Sequence, residues 1–140
     1  MAYNNLGYGL LMTGDVKGAE PAIHKAIELD PTNHLAINNR ALIAIQQKRL
    51  DDAETDIKSV LVKHPDFAFG YLNRGNLFLA KGDAQDAVDA LTTAIKLDPD
   101  LRFAYVKRAE AYSKLGKKLL ADADTKRSAE ILSMIAKADL

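Results

Sequence analysis

Pro31, Pro65 and Pro99 stand 34 residues apart, and this spacing constrains the chain more than any other feature. Proline donates no amide hydrogen and disfavours helical geometry in the residue before it, so each one marks a place where a helix must stop. Ala19, Ala53, Ala87 and Ala121 keep the same step, as do Tyr3, Ile37, Tyr71 and Tyr105. Gly7, Ala41, Gly75 and Ala109 keep it with small residues. This many registers in phase mean that the chain is assembled from repeated units rather than around one irregular core. The units fall at about 1–33, 34–67, 68–101 and 102–135, within one domain spanning 1–140.

Each unit reads as two helices. In the third, the pattern predicts a helix from about Ala68 to Lys81, a break at Gly82-Asp83, and a second helix from about Ala84 to Leu97. Thr32, Asp66 and Asp100 follow the prolines and are expected to cap the next helix with their side chains. Gly14, Gly82 and Gly116 are expected to end the first helix of their pairs. At about 100° per residue, Tyr71, Arg74, Gly75 and Phe78 share one side of the first helix. Ala87, Val88, Leu91, Ala94 and Ile95 form the apolar stripe of the second, and the two sides should pack. Glycine at 7 and 75 then allows close helix approach, while Gly9 has no counterpart and costs about 1 kcal/mol against alanine. The glycines of residues 6–15 fail the GxGxxG spacing because Met12 stands where a glycine is needed, so a phosphate loop is rejected.

The series Tyr71, Arg74-Gly75, Phe78, Ala87, Leu91, Ala94 and Pro99 resembles the tetratricopeptide repeat (TPR), two helices per 34 residues. The resemblance covers essentially the whole chain and implies an all-α fold: a right-handed α-solenoid of about four helix-turn-helix units. Unit four departs late, with Thr125, Ser128 and Ser133 where earlier units carry an apolar residue, Ala or Val, and Pro. No proline stops its last helix, which is expected to run to about residue 137 as an extended C-terminal capping helix.

The resemblance also implies that first helices line an inner groove, the usual ligand surface of the family. Asn5, Asn39 and Asn73 recur there in register and end at Lys107. Asparagine disfavours helix interiors, and its amide both donates and accepts, which suits the backbone of an extended peptide. The alternative is that these amides satisfy neighbouring helix groups or face water. Around them lie Tyr8, Leu35, Asn38, Phe69, Leu72 and Asn76, followed by Phe103, Val106 and Glu110. Phe69 and Phe103, one repeat apart, are expected to be half-exposed in an empty groove; the competing reading packs each on the next repeat's first helix. The basic-and-amide cluster that would hold a chaperone tail carboxylate is not met: of Asn4, Tyr8, Asn39, Phe69 and Asn73 only Asn39 fits. Starting one unit later, Asn38, Leu42, Asn73, Phe103 and Lys107 match only at Asn73. Arg40, Arg74 and Arg108 repeat at the border of the core face, and Arg40 and Arg108 are expected to pair with Asp56 and Asp124.

Composition narrows the remaining classes. Formal net charge is zero, so neither nucleic acid nor a membrane surface is expected as a partner. The basic residues of the last third alternate with Glu110, Asp122, Asp124 and Glu130 and read as a solvated surface. No cysteine is present, and no apolar run approaches the ~18 residues of a membrane span. His24, His34 and His64 do not fit a metal motif, the serines lack a GxSxG turn, and no catalytic residue or cofactor is expected. The expected function is therefore a non-enzymatic scaffold that takes a peptide or partner helix in its groove. The alternatives are homodimerisation through the terminal helices, where Ile131, Leu132, Met134 and Ile135 give the last one an apolar side, or a regulatory domain cut from a larger protein. The compartment is open: cytoplasmic by default, periplasmic if excised from a longer precursor.

Overall fold

The period is realised as helices throughout. The computed structural model describes residues 1–139, and among them there are eight α-helices and no strand. They form two compact units, Met1–Pro65 and Asp66–Leu140. The first contains α1 (Ala2–Met12), α2 (Val16–Leu29), α3 (His34–Gln46) and α4 (Leu50–Lys63). The second contains α5 (Ala68–Lys81), α6 (Ala84–Leu97), α7 (Arg102–Lys114) and α8 (Lys118–Ala138). Within each unit consecutive helices pack on one another, and the two first helices of adjacent repeats, α1 with α3 and α5 with α7, also touch.

Both cores follow from the apolar stripes. Leu11, Ala19, Ile23 and Ile43 form the centre of the first unit. In the second, Ala87, Val88, Leu91 and Ala94 of α6 meet Leu72 and Leu79 of α5 and Ala104 and Ala111 of α7. Each fully buried Leu or Ile contributes about 1.5–3 kcal/mol. The predicted close approaches are present. A Cβ added at Gly75 would lie 2.5 Å from Leu91, and one at Gly7 would lie 2.5 Å from Ile23. Pro21 sits inside α2 and removes an amide donor there, yet the stripe Ala19, Ala22, Ile23 and Ala26 remains buried on either side of it.

The caps differ from expectation. Thr32, Asp66 and Asp100 do not cap: the N-cap positions of α3, α5 and α7 are Asn33, Phe67 and Leu101. Asn33 alone of these caps with its side chain, accepting from the amides of Leu35 and Ala36. After each proline the turn needs one residue more than the sequence pattern suggests before the chain can re-enter helix. Two aspartates ahead of the prolines close the turn instead: Asp30 accepts the amide and hydroxyl of Thr32, and Asp98 accepts the amide of Asp100.

First helices end in the left-handed region at Gly14, Gly82 and Gly116, with φ of 85°, 84° and 73°. The second repeat uses Lys48 at the same place, with φ of 63°. A side chain in that region is strained by about 1–2 kcal/mol, against a smaller entropic cost of glycine. Lys48→Gly is therefore expected to stabilise the chain by about 0.5–1 kcal/mol, seen as a higher urea midpoint. An unchanged or lower midpoint would remove the strain argument.

The polar residues of the last repeat are satisfied locally. Thr125 donates its hydroxyl to the carbonyl of Ala121, and the buried Ser128 donates to that of Thr125. Of the apolar side assigned to α8, Ile131 is buried, whereas Leu132, Met134 and Ile135 stay about half exposed. No helix among the described residues is long and apolar enough to cross a membrane.

Candidate functional site

The first unit brings the amides together differently from a uniform ladder. Asn39 is buried and donates its Nδ2 to Oδ1 of Asn4 across α1 and α3, at 2.8 Å. Asn5, the ladder position itself, is exposed, and Tyr8 beside it is 37% exposed. Leu35 is half-buried and Asn38 buried on α3. A buried amide must keep its hydrogen bonds, since losing one costs about 1–3 kcal/mol. The Asn4–Asn39 bond thus serves the packing of α1 on α3.

In the second unit the equivalent surface is carried by α5 and α7. Phe69 and Phe103 are each 40% exposed, the half-exposure expected from their register. Phe69 lies 5.9 Å from Phe67, and the Arg102 guanidinium stands 4.5 Å above the Phe103 ring. Leu72 and Asn73 are buried, and Asn73 accepts from Nδ2 of Asn76, itself half-buried. Val106 and Lys107 are half-buried, and Glu110 is exposed between Lys107 at 3.7 Å and Lys114 at 3.9 Å. These pairs are solvated and contribute little to stability. This surface exposes two aromatic rings, the half-buried Asn76 amide and a mixed-charge edge.

The repeated arginines are positioned as expected in the second and fourth repeats. Arg40 donates through Nε and Nη2 to both oxygens of Asp56, each at 2.8 Å. Arg108 grips Asp124 in the same way at 2.7 and 2.8 Å and also donates to the Thr92 hydroxyl on α6. These hydrogen bonds raise the pKa of both arginines.

One pairing is not visible in the sequence pattern. His34 opens α3 and His64 follows α4, so the hairpin stacks their rings at 3.9 Å. Burial first, then the charge on His64, lowers the His34 pKa below its ordinary 6.5. Above about pH 6.5 both folded and unfolded chains hold a neutral His34; below it the unfolded chain takes up the proton first, so stability falls. Melting temperature is expected to drop modestly from pH 7.5 to 5.5, and less in His34→Gln. An equal drop in both proteins would acquit His34. Among the described residues no three histidine, cysteine or acidic side chains gather as a metal site would require.

Comparison with known proteins agrees with the period. Tetratricopeptide repeat models match residues 1–33 and 24–55, and a TPR repeat model matches 75–116. The chain is similar to the Protein STIP1 homolog of Dictyostelium discoideum, 31% identical over 96 residues, which is 69% of this chain and 17% of that protein. It is also similar to the Hsp70-Hsp90 organizing protein of Triticum aestivum, 32% identical over 92 residues, 66% of this chain and 16% of that protein. The chain thus spans less than a fifth of either relative. Among solved structures, TTC0263, a thermophilic TPR protein of Thermus thermophilus, superposes with a TM-score of 0.83 at 20% identity, over 93% of this chain and 73% of that one. The 34-residue step, the paired helices and these matches lead to one assignment: the chain belongs to the tetratricopeptide repeat family.

Proposed function

We propose that the chain is a non-enzymatic binding module whose first-helix surfaces receive a peptide or a helix of a protein partner. Proteins of this family generally mediate protein–protein interactions, and the chaperone-organising name of one relative fits a scaffold role. The observation that carries the reading is the pair Phe69 and Phe103, large aromatic residues left 40% exposed on adjoining helices. Exposed apolar surface of this kind tends to mark a partner site. Asn76, Val106, Lys107 and Glu110 supply its polar and apolar surroundings within the second unit, and Asn5, Tyr8 and Leu35 belong to the first-helix surface of the first unit. Asn38, Asn39, Leu72 and Asn73 lie beneath and hold the helices that present them.

The test is affinity capture with the full chain against Phe69→Ala/Phe103→Ala, with captured proteins identified by mass spectrometry and retested in purified form. A purified partner should bind the double variant at least about tenfold more weakly, since an aromatic anchor at an interface is worth about 2 kcal/mol or more. Equal binding would discard the surface. A second reading, self-association through the terminal helices, is favoured by the exposed Leu119, Leu132 and Ile135 of α8 and Tyr3 and Leu6 of α1. Light scattering over a dilution series separates the two: a strict monomer discards self-association. A dimer dispersed by Leu132→Glu/Ile135→Glu supports it, whereas substitution at the buried Ile131 would only damage the core.

A further inference from the structure

The third repeat breaks the arginine–aspartate pattern. Arg40 with Asp56 and Arg108 with Asp124 are separated by 16 residues, and the same step from Arg74 reaches Ala90. Arg74 has not relocated to compensate. Its guanidinium carbon stands 5.8 Å from the Phe78 ring centre, as that of Arg108 stands 5.6 Å from the equivalent ring of Tyr112. The cation is thus held over the same aromatic platform, exposed, and among the described residues it forms no ion pair. Beside it lies an open cleft of about 230 Å³, bordered by Tyr71, Arg74 and Phe78 of α5 and Asp86, Asp89 and Ala90 of α6. None of these residues belongs to the aromatic and amide surface described above.

We propose that this cleft is a second docking site, where a protein partner places an acidic side chain on Arg74 in the position that Asp56 and Asp124 fill internally. The planar guanidinium fork suits bidentate grip of a carboxylate, and the phenyl platform removes part of the cost of ordering it. A free small acid is the wrong occupant on two grounds. The cleft is smaller than the ~300 Å³ at which enclosed ligand pockets begin. Asp86 and Asp89 on the other wall repel a lone anion, and the Gln85 amide that bonds Asp89 leaves its charge in place. A polypeptide segment carrying an acidic residue next to a basic one satisfies both walls: the acid meets Arg74 and the base meets Asp86 and Asp89. This site is independent of the first-helix surface and stands or falls separately from it.

Ala90→Asp supplies the missing carboxylate from within and should occupy the fork while leaving the fold intact. The experiment is selection of a random dodecapeptide library on the full chain, with affinities of selected peptides measured on variants. One class of peptides should carry adjacent acidic and basic residues. Their binding should weaken about tenfold or more in both Arg74→Gln and Ala90→Asp, the fold-change that corresponds to losing a hydrogen-bonded charge contact. It should hold in Phe69→Ala/Phe103→Ala, which removes the exposed aromatic pair of the first-helix surface. Titration with a selected peptide should move the Arg74 Nε–Hε resonance and leave those of Arg40 and Arg108, whose forks are filled internally, in place. The proposal is overturned if no selected peptide depends on Arg74, if dependent peptides carry no carboxylate, or if a bound peptide moves the three arginines alike.

Discussion

Asp124→Ala is expected to lower stability by about 3 kcal/mol, the lower end of the cost of stranding a charge whose partner is removed from a buried pair. The side chains of Arg108 and Asp124 are only 17% and 7% exposed. Arg108 lies on α7, bonds Asp124 on α8 and reaches Thr92 on α6, so the loss is felt by three helices at once. The loss belongs to the stranding and not to the pair's net worth, because two buried charges also forfeit hydration when they meet. Arg108→Met/Asp124→Leu should therefore regain most of what the single change loses. The second repeat provides a control. Arg40 is 39% exposed against 12% for Asp56, so water takes over part of the solvation when Asp56 is replaced. Asp56→Ala should cost clearly less. Urea midpoints of these variants and the parent chain decide the matter, and equal losses at Asp56 and Asp124 would show that burial is not the cause.

The same pair shows what a 34-residue register can and cannot reveal. Equivalence between repeats is enough to place Arg40 opposite Asp56, and to bound α5 and α6 at the residues observed, because proline and glycine stop a helix through their own backbone chemistry. Capping is not legible in the same way, since it depends on where the chain lies after the proline, which residue type at one position does not report; Asn33 holds the role expected of Thr32, whose own amide and hydroxyl go to Asp30. The amides illustrate a finer limit. Register makes Asn5, Asn39 and Asn73 equivalent, but burial of a first helix is decided by its neighbour, and it is Asn4 that meets Asn39. His34 and His64 lie 30 residues apart and come together because a hairpin returns its second helix to the start of its first. Register also makes Arg74 a member of the arginine series; that Ala90 leaves it without an aspartate becomes significant only when Phe78 is found holding it in place.

Gly75→Ala is expected to cost about 2 kcal/mol, against the ordinary rule that alanine stabilises a helix by about 1 kcal/mol relative to glycine. The sign turns on what the new methyl group meets. It would lie 2.5 Å from both Cγ and Cδ2 of Leu91, a fully buried side chain whose branch point cannot move without displacing the α6 stripe. At Gly7 the nearest atom is the terminal Cδ1 of Ile23, with Cγ1 next at 2.7 Å, so rotation about the outer bonds relieves more of the clash. Gly7→Ala should accordingly be milder. The fourth repeat has already solved the problem with Ala109 in the glycine position and Thr125 in place of the leucine. Copying it as Gly75→Ala/Leu91→Thr should destabilise less than the sum of the single changes, because the second substitution removes the atoms that the first one strikes. Leu91→Thr alone loses core area and places a hydroxyl there, so it carries its own cost. Thermal and urea unfolding of the two singles and the double test the coupling directly, and strict additivity would mean that the methyl group and Leu91 never compete for the same space.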